Sequence, residues 1–437
     1  MELCIFARAK KTFNFGGRED YKGRSGKSGC TNRPPLRDAM SGRDFKGTIH
    51  TAGFVAKFSC LGADCEDTCC RGWGMQMDAL TRDLYQKEAP ELLDAITTGE
   101  AELIMKRDPN TDYCVKFDNG LCGVHASKGS KFLGDACHFY PRITRSIGDD
   151  VHMSAALSCP EITRLALYSD DEGAFDYVPV SVERLPESLR NYMLEGMEVA
   201  AALETMKALQ QMVLNAPTSA RAMAVVVNVA QSLKIIAPKS WAQAVPLYIK
   251  IAEGRLPPPE VDSMDDYRLV NILVGLIVAA KKTNRPRLEE VIARMEQALA
   301  IKIDRNSLDM MSLKGDLTMH EVLQVRWQKK AAAALDGTLK RWIAAQLSMA
   351  SFPFAGLGGD VLERAIILAV RFATVKLALK AQVDENGVPP PPEKVVEVVQ
   401  SIARFTDHLA DPTFSIMAYN EVGWSKERRL RALVGDT

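Results

Sequence analysis

Cysteine is the residue type through which this chain most plainly offers chemistry. Ten cysteines occur in 437 residues, and eight of them fall between residues 60 and 159: Cys60, Cys65, Cys69, Cys70, Cys114, Cys122, Cys137 and Cys159. The first four stand in one run, Cys60-Leu-Gly-Ala-Asp-Cys65-Glu-Asp-Thr-Cys69-Cys70. Thiolates bind zinc tetrahedrally in sets of four, usually as two CxxC-type pairs. Four thiolates also hold iron–sulfur clusters, whose larger core tolerates more varied spacing. No CxxC pair occurs here, and the adjacent Cys69 and Cys70 are awkward ligands for one tetrahedral ion. The spacing therefore favours an iron–sulfur cluster, with four cysteines as ligands, over zinc as the alternative metal. Eight thiolates suffice for two centres, or for one centre with spare redox or structural thiols. The plain alternative is eight inert buried cysteines, a density rarely met outside metal or disulfide sites.

Two cofactor fingerprints fit poorly. The radical S-adenosylmethionine signature needs Cys-x3-Cys-x2-Cys; Cys65-x3-Cys69 supplies the first interval, but the next thiol is adjacent and no repeated βα pattern follows. The glycine run Gly356-Leu-Gly358-Gly359-Asp360 follows Ser-Phe-Pro-Phe instead of an apolar strand, so it reads as a loop before a helix beginning at Leu362.

The elements that must position the cysteines are short. Residues 64–79 read as a tight turn entering a helix, with Cys65 and Cys69 one turn apart on the same face. Asn119-Gly120 is the favoured pair for a tight primed turn, which predicts a hairpin bringing Cys114 and Cys122 close together. Residues 133–140 read as a short helix carrying Cys137 and stopped by Pro141. Leu157-Ser-Cys159-Pro160-Glu161 leads into another helix. From about residue 183 the apolar spacing is helical, over 182–214, 220–236, 241–253, 264–282, 287–303, 319–349, 362–380, 393–410 and 426–433, with proline runs at 257–259 and 389–392 as connectors. The expected class is mainly α: a small cysteine-rich α+β metal-binding head over 46–168, with a short hairpin, followed by an all-helical body over 180–437.

Composition narrows the setting. Apolar content of 47%, charged content of 25% and a formal net charge of zero give no whole-chain case for nucleic acid or an anionic membrane. The longest apolar stretch, 269–280, is interrupted by Asn271 and too short to span a bilayer. The first residues lack a signal peptide's apolar segment and cleavage site. A cytoplasmic, reducing location follows, where clustered cysteines serve as metal ligands or catalysts more often than as disulfides. Residues 1–45 are rich in glycine and basic side chains without apolar periodicity, and read as a disordered or spurious extension. Met40 is then the expected start, leaving Cys4 and Cys30 outside the function.

Phe58-Ser-Cys60-x4-Cys65-Glu-Asp-Thr-Cys69-Cys70-Arg-Gly-Trp73, the hairpin cysteines, Cys137-His-Phe-Tyr-Pro141-Arg142 and Leu157-Ser-Cys159-Pro160-Glu161 together resemble the flagellin lysine-N-methylase (FliB) family. That family belongs to a wider group named for a CxxCxxCC-type zinc- or iron-chelating domain. The resemblance covers about residues 54 to 167, and Ala403-Arg404-Phe-Thr-Asp-His408 is similar to a family element near the C-terminus. It implies an iron–sulfur protein, of 4Fe-4S type, transferring methyl groups from S-adenosylmethionine to lysine side chains of flagellin.

Lysine methylation needs a neutral amine, and free lysine titrates near 10.4. A polar transfer therefore calls for a desolvating slot or an acidic base near the donor. Glu66, Asp67, His138 and Arg142 are the catalytic candidates, with Asp64 and His125 also near the cysteines; each can equally be a turn residue, a helix N-terminal acid or a hydrogen-bond partner. Arg142 can hold a cofactor carboxylate or pair with an acid, and Trp73 can stack on an adenine or fill the core. Arg404 and His408, one turn apart, face either the cysteines or solvent. The competing reading is a non-enzymatic zinc- or iron-binding module on a helical interaction scaffold.

Overall fold

The computed structural model describes residues 45–99, 103–255, 285–301, 317–356, 359–408 and 427–435. Expectations for residues 1–44, including Cys4, Cys30 and Met40, for the proline run at 257–259 and for a helix over 264–282 lie outside the described residues.

The cysteine region is built from short pieces. Strand β1 (Gly47–Ala52) runs into one helical turn, α1 (Gly53–Ala56), and the next regular helix is α2 (Ala79–Glu88). The helix predicted over 64–79 does not form. Only a 3-10 turn at Gly62–Asp64 is present, Cys65 is extended, and Gly72 sits at φ +85°. The helix begins where Asp78 accepts a hydrogen bond from the Thr81 amide at 2.7 Å, a cap the predicted helix would have swallowed. Cys65 and Cys69 therefore share no helix face.

Two small hairpins follow, β2 (Ile96–Thr98) with β3 (Leu103–Met105) and β4 (Phe117–Asp118) with β5 (Leu121–Cys122). Asn119 and Gly120 take positive φ at the second turn, as their types predict. A Cβ on Gly120 would lie 2.9 Å from that of Ala63, so glycine is needed for both φ and contact. Helix α3 (Gly123–Lys128) and the short α4 (Asp135–Phe139), which carries Cys137, complete the region. Met77, Tyr85, Leu92, Met105 and Val124 form a small core of their own, with Cys114 and Cys122 packed against it.

A four-stranded sheet stands beside this core and was not legible as such. Strands β6 (Arg142–Ile147) and β7 (Asp150–Ala155) form a hairpin, and β7 runs parallel to β1. After α5 (Pro160–Tyr168), strand β8 (Tyr177–Val182) pairs antiparallel with β1, giving the order β6-β7-β1-β8. Thr51, Ser146, His152 and Ser154 are buried within it, which blurs the alternation of apolar and polar residues that marks a strand.

The rest is helical, so the chain is mostly helix with small sheets. The helix predicted from 182 begins only at α6 (Val199–Asn215), because Pro186 and Gly196, at φ +75°, interrupt the stretch before it. Then come α7 (Ser219–Leu233), α8 (Trp241–Arg255), α9 (Pro286–Ala298), α10 (Leu317–Arg326), a π turn at Trp327–Ala331, α11 (Ala332–Ala350), α12 (Val361–Lys380), α13 (Pro392–Thr406) and α14 (Glu427–Val434). Asp360 and Glu363 form a capping box at the start of α12, one residue before the predicted Leu362; Leu357 and Gly358 of the glycine run lie outside the described residues. Helix α12 is buried along most of its length through residues such as Ile366, Val370 and Phe372. Each buried side chain of this size contributes about 1.5–3 kcal/mol, so α12 is the element on which α7 and α13 pack. Ile49, Phe54, Ile147 and Leu157 belong to that same core, so the sheet and the helices share one interior. Among the described residues no helix is long and apolar enough to cross a membrane.

One titration follows from this packing. Burial and the nearby charge of Lys380 hold the His320 imidazole down at about 4. Its neutral form is therefore favoured in the folded chain, against a value near 6.5 when unfolded. The stabilising contribution is complete above about pH 6.5 and is lost as pH falls toward 4. Urea unfolding at pH 7 and at pH 4.5 should show a larger loss for the wild type than for His320→Gln.

Candidate functional site

The cysteine-bearing segments converge although they share no regular element. The Cys114 amide donates to the Cys70 carbonyl at 2.7 Å, laying one segment along the other. Bonds from the Phe117 amide to the Cys114 carbonyl (2.8 Å) and from Gly123 to Lys116 (2.7 Å) turn the chain so that Cys122 returns beside them. Helix α4 adds Cys137: burial raises its thiol, and the charges of Cys122, Cys70 and Cys114 raise it further. Burial, with Cys70 as a further contribution, likewise raises Cys114 and Cys122. Cys70, Cys114, Cys122 and Cys137 thus form one neighbourhood. Cys60, Cys65 and Cys159 form another, in which burial and the charges of Cys65 and Cys60 push Cys159, at the N-terminus of α5, up to about 12. Cys69 adjoins Cys70 and contributes to raising its thiol.

This donor set fits a cation. Thiols that act as free nucleophiles are held below the usual cysteine value, whereas these are pushed above it by burial and by one another. A bound cation reverses both effects, because it favours the thiolates that burial disfavours. Spacing bears on which cation. Among the described residues no three cysteine sulfurs lie all within 4.8 Å of one another. A zinc ion with Zn–S bonds of about 2.3 Å would hold its four sulfurs about 3.8 Å apart. A closed zinc site would require these thiols to draw together.

The loop between Cys65 and Trp73 is held by side chains from α13. Arg404 pairs with the Asp67 carboxylate at 2.5 Å, donates to the Thr68 carbonyl at 2.9 Å and donates to that of Arg71. Gln400 donates to Asp67 at 2.7 Å and to the Ser158 carbonyl at 3.0 Å, so it links this loop to the turn before Cys159. Arg285 completes the clamp, bonding the carbonyls of Arg404 (2.7 Å) and Gly72 (3.2 Å). Trp73 donates to the Cys69 carbonyl at 2.7 Å and lies under the Arg404 guanidinium, 4.8 Å from its ring centre, with His408 and Tyr140 at its edges. His408 bonds Ser158 at 2.8 Å, so both Arg404 and His408 face the cysteine region.

The predicted site residues divide between two clefts. Glu66 and Asp67 line the first, of about 330 Å³, together with Cys65, Arg71, Arg285, Arg287, Tyr113 and Phe117. Glu66 is paired with Arg164 at 2.6 Å, and Asp67 is held by Arg404, so both carboxylates carry structural contacts. Nε of Arg71, Arg285 and Arg287, and the Ser401 hydroxyl, are buried without a hydrogen-bond partner. Tyr113 and Phe117 are stacked, 4.7 Å apart. His138 and Arg142 line the second cleft, of about 360 Å³, with Lys131, Phe139 and Arg184. Burial and the charges of Arg184 and Arg142 hold His138 down at about 4, so it is neutral at ordinary pH, and its Nδ1 has no partner. Arg142 donates to the carbonyls of His138 (3.0 Å) and Phe139 (3.3 Å) and senses the charge of Cys60. Asp64 ends the 3-10 turn, and His125 lies on α3. Arg285, Arg287, Tyr113 and Gln400 carry no local motif; only the long-range fold brings them here.

Over 134 residues the chain is 29% identical to a protein named "Lysine-N-methylase" from Salmonella typhimurium (strain LT2), covering 28% of this chain and 33% of that protein. The same identity and coverage hold for a protein of that name from Salmonella choleraesuis. A "Flagellar biosynthetic protein FliU" from Salmonella muenchen is 29% identical over 134 residues, 28% of this chain and 79% of that protein. The match thus spans about a third of the length of the two lysine-N-methylases. No family profile matches the chain, and no solved structure does.

Removing Arg404 strands a carboxylate and loop carbonyls at once. Arg404→Ala should cost about 3–5 kcal/mol in urea unfolding, because it leaves a partly buried charge unpaired. Arg404→Lys should recover little of that, since one ammonium cannot span the same acceptors. Alkylation of Cys65 and Cys69 in the metal-free protein, followed by peptide mass spectrometry, should quicken in both variants.

Proposed function

We propose that this chain is a protein-lysine N-methyltransferase that takes the methyl group of S-adenosylmethionine and places it on flagellin lysines in the cytoplasm, with an iron–sulfur cluster, of 4Fe-4S type, held by four of its eight clustered cysteines. One observation carries the reading: Cys70, Cys114, Cys122 and Cys137 come together from separate segments, next to a cleft where Nε of Arg71, Arg285 and Arg287 has no hydrogen-bond partner. The names of the Salmonella relatives supply the reaction class.

Cys70, Cys114, Cys122 and Cys137 are the ligands this reading assigns first, with Cys60, Cys65, Cys69 and Cys159 available for a second centre or for structure. When bound, the cluster would supply a redox-active, anionic group. In this reading Arg71, Arg285 and Arg287, which line the cleft, would hold the methyl donor's carboxylate, and Tyr113 with Phe117 would flank its adenine. The same cations disfavour an ammonium brought among them, so an inserted lysine is biased toward the neutral amine that reacts. In a polar transfer the neutral amine nitrogen forms the new N–C bond, the sulfonium–methyl bond breaks with its electron pair staying on the thioether sulfur, and the methylammonium product loses its proton to water. Glu66 and Asp67, already held by arginines, serve this scheme as positioning residues for the loop.

Anaerobic purification and a spectrum test the metal. A broad band at about 400 nm, with iron and sulfide, should vanish in Cys137→Ser. A colourless protein carrying stoichiometric zinc would favour the non-enzymatic zinc-binding module instead. Mass spectrometry of flagellin lysines tests the reaction, and a cluster-loaded protein given donor and reductant that adds no methyl group would refute it. Arg287→Ala should raise KM for the donor by about 10-fold or more with a smaller change in kcat, as loss of a charge-assisted contact predicts.

A further inference from the structure

Away from the cysteines, the sheet carries a second set of donors. His50 on β1 and His152 on β7 are register partners across the parallel pair, so their side chains leave the same face of the sheet. Asp150 lies two residues before His152 and shares that face. Its Oδ1 is 2.7 Å from His50 Nδ1 and 3.7 Å from His152 Nε2, and the three ligand atoms lie within 4.8 Å of one another. We propose that His50, Asp150 and His152 form a binding site for a divalent first-row transition metal, with coordination positions open to the adjoining cleft.

Three observations support the site independently of the cysteines. The His152 side chain is only 3% exposed, yet neither of its ring nitrogens has a hydrogen-bond partner. An unpartnered buried polar group is costly, and an apolar residue of similar size would avoid the cost, so a ligand role accounts for the histidine where packing does not. Tyr177, edge-on to the His152 ring at 5.0 Å, fixes its plane. His50 and His152 also open onto a cleft of about 350 Å³, lined further by Asp176, Lys207 and Gln210. Two imidazoles and one carboxylate are the donor set of zinc and ferrous sites that keep open positions, whereas magnesium and calcium prefer oxygen donors throughout. Donors bound at about 2.0–2.2 Å to one ion stand about 3–3.5 Å apart, close to the separations already present. His50, with 43% of its side chain exposed, is free to make the remaining adjustment.

The test uses the untagged full-length protein as purified, titrated anaerobically with Co²⁺ and, separately, with Zn²⁺ in a calorimeter. The wild type should take up one equivalent of Co²⁺ with weak visible bands and no added sulfur-to-cobalt charge transfer, the signature of nitrogen and oxygen donors. His50→Ala and Asp150→Asn should each lose that equivalent, or bind it at least about 100-fold more weakly, with cysteine-bound metal unchanged. His50 is partly exposed, so its variant should fold even if a change at His152 does not; the unfolding midpoint in metal-free buffer checks this. Uptake equal in wild type and both variants would overturn the proposal, as would a wild type whose added cobalt shows only thiolate character.

Discussion

The ion pair between Arg404 and Asp67 is the constraint on which the cysteine region depends. The loop that follows Cys65 has no ladder of its own, so its carbonyls must find donors elsewhere or lose hydrogen bonds on burial. Arg404 supplies several of those donors from one planar fork and matches the Asp67 carboxylate at the same time. Gln400, one turn earlier on α13, extends the hold to the turn before Cys159. One helix of the body therefore fixes both the opening cysteine run and the last cysteine.

This arrangement makes the body more than a scaffold. Strands β1, β6, β7 and β8 share their interior with the helices, while the small core around Tyr85 serves the hairpins that carry Cys114 and Cys122. The thiols lie where these two interiors meet. A change in how α13 packs on α12 would reach the cysteines through two side chains instead of through a long relay, because Gln400 and Arg404 belong to the packed helix and touch the loop directly.

Local chemistry was readable from the chain wherever a few adjacent residues decide it. Asn119-Gly120 specifies its turn, Pro141 marks the end of the Cys137 helix, and Pro160 begins the next one. Most described helices of the body follow from apolar spacing, although the one expected from 182 starts only at Val199 and the one over 319–349 is interrupted by a π turn. The four-stranded sheet was hidden because its buried faces include Thr51, Ser146, His152 and Ser154, and its central parallel pair joins residues a hundred positions apart. The supposed helix after Asp64 failed for the reverse reason: a plausible i, i+4 spacing of cysteines outweighed Gly72, Gly74 and the Asp78 cap that truly sets the boundary. Arg285 and Gln400 gave no sign of their roles, because nothing near them in sequence concerns cysteine.

Charge balance joins these pieces. The chain is neutral overall, yet Arg71, Arg285, Arg287 and Arg404 gather around the loop that holds Cys65, Cys69 and Cys70. Burial lowers Arg285 and the neighbouring Arg404 charge lowers it further, so the cluster is unfavourable by itself. Thiolates gathered in a place of low polarity carry negative charge, which is unfavourable in the opposite sense. Each group is costly alone, and each offsets the other when the thiols are ionised. Burial raises the thiols and lowers Arg285, and each shift is relieved when the other group is charged.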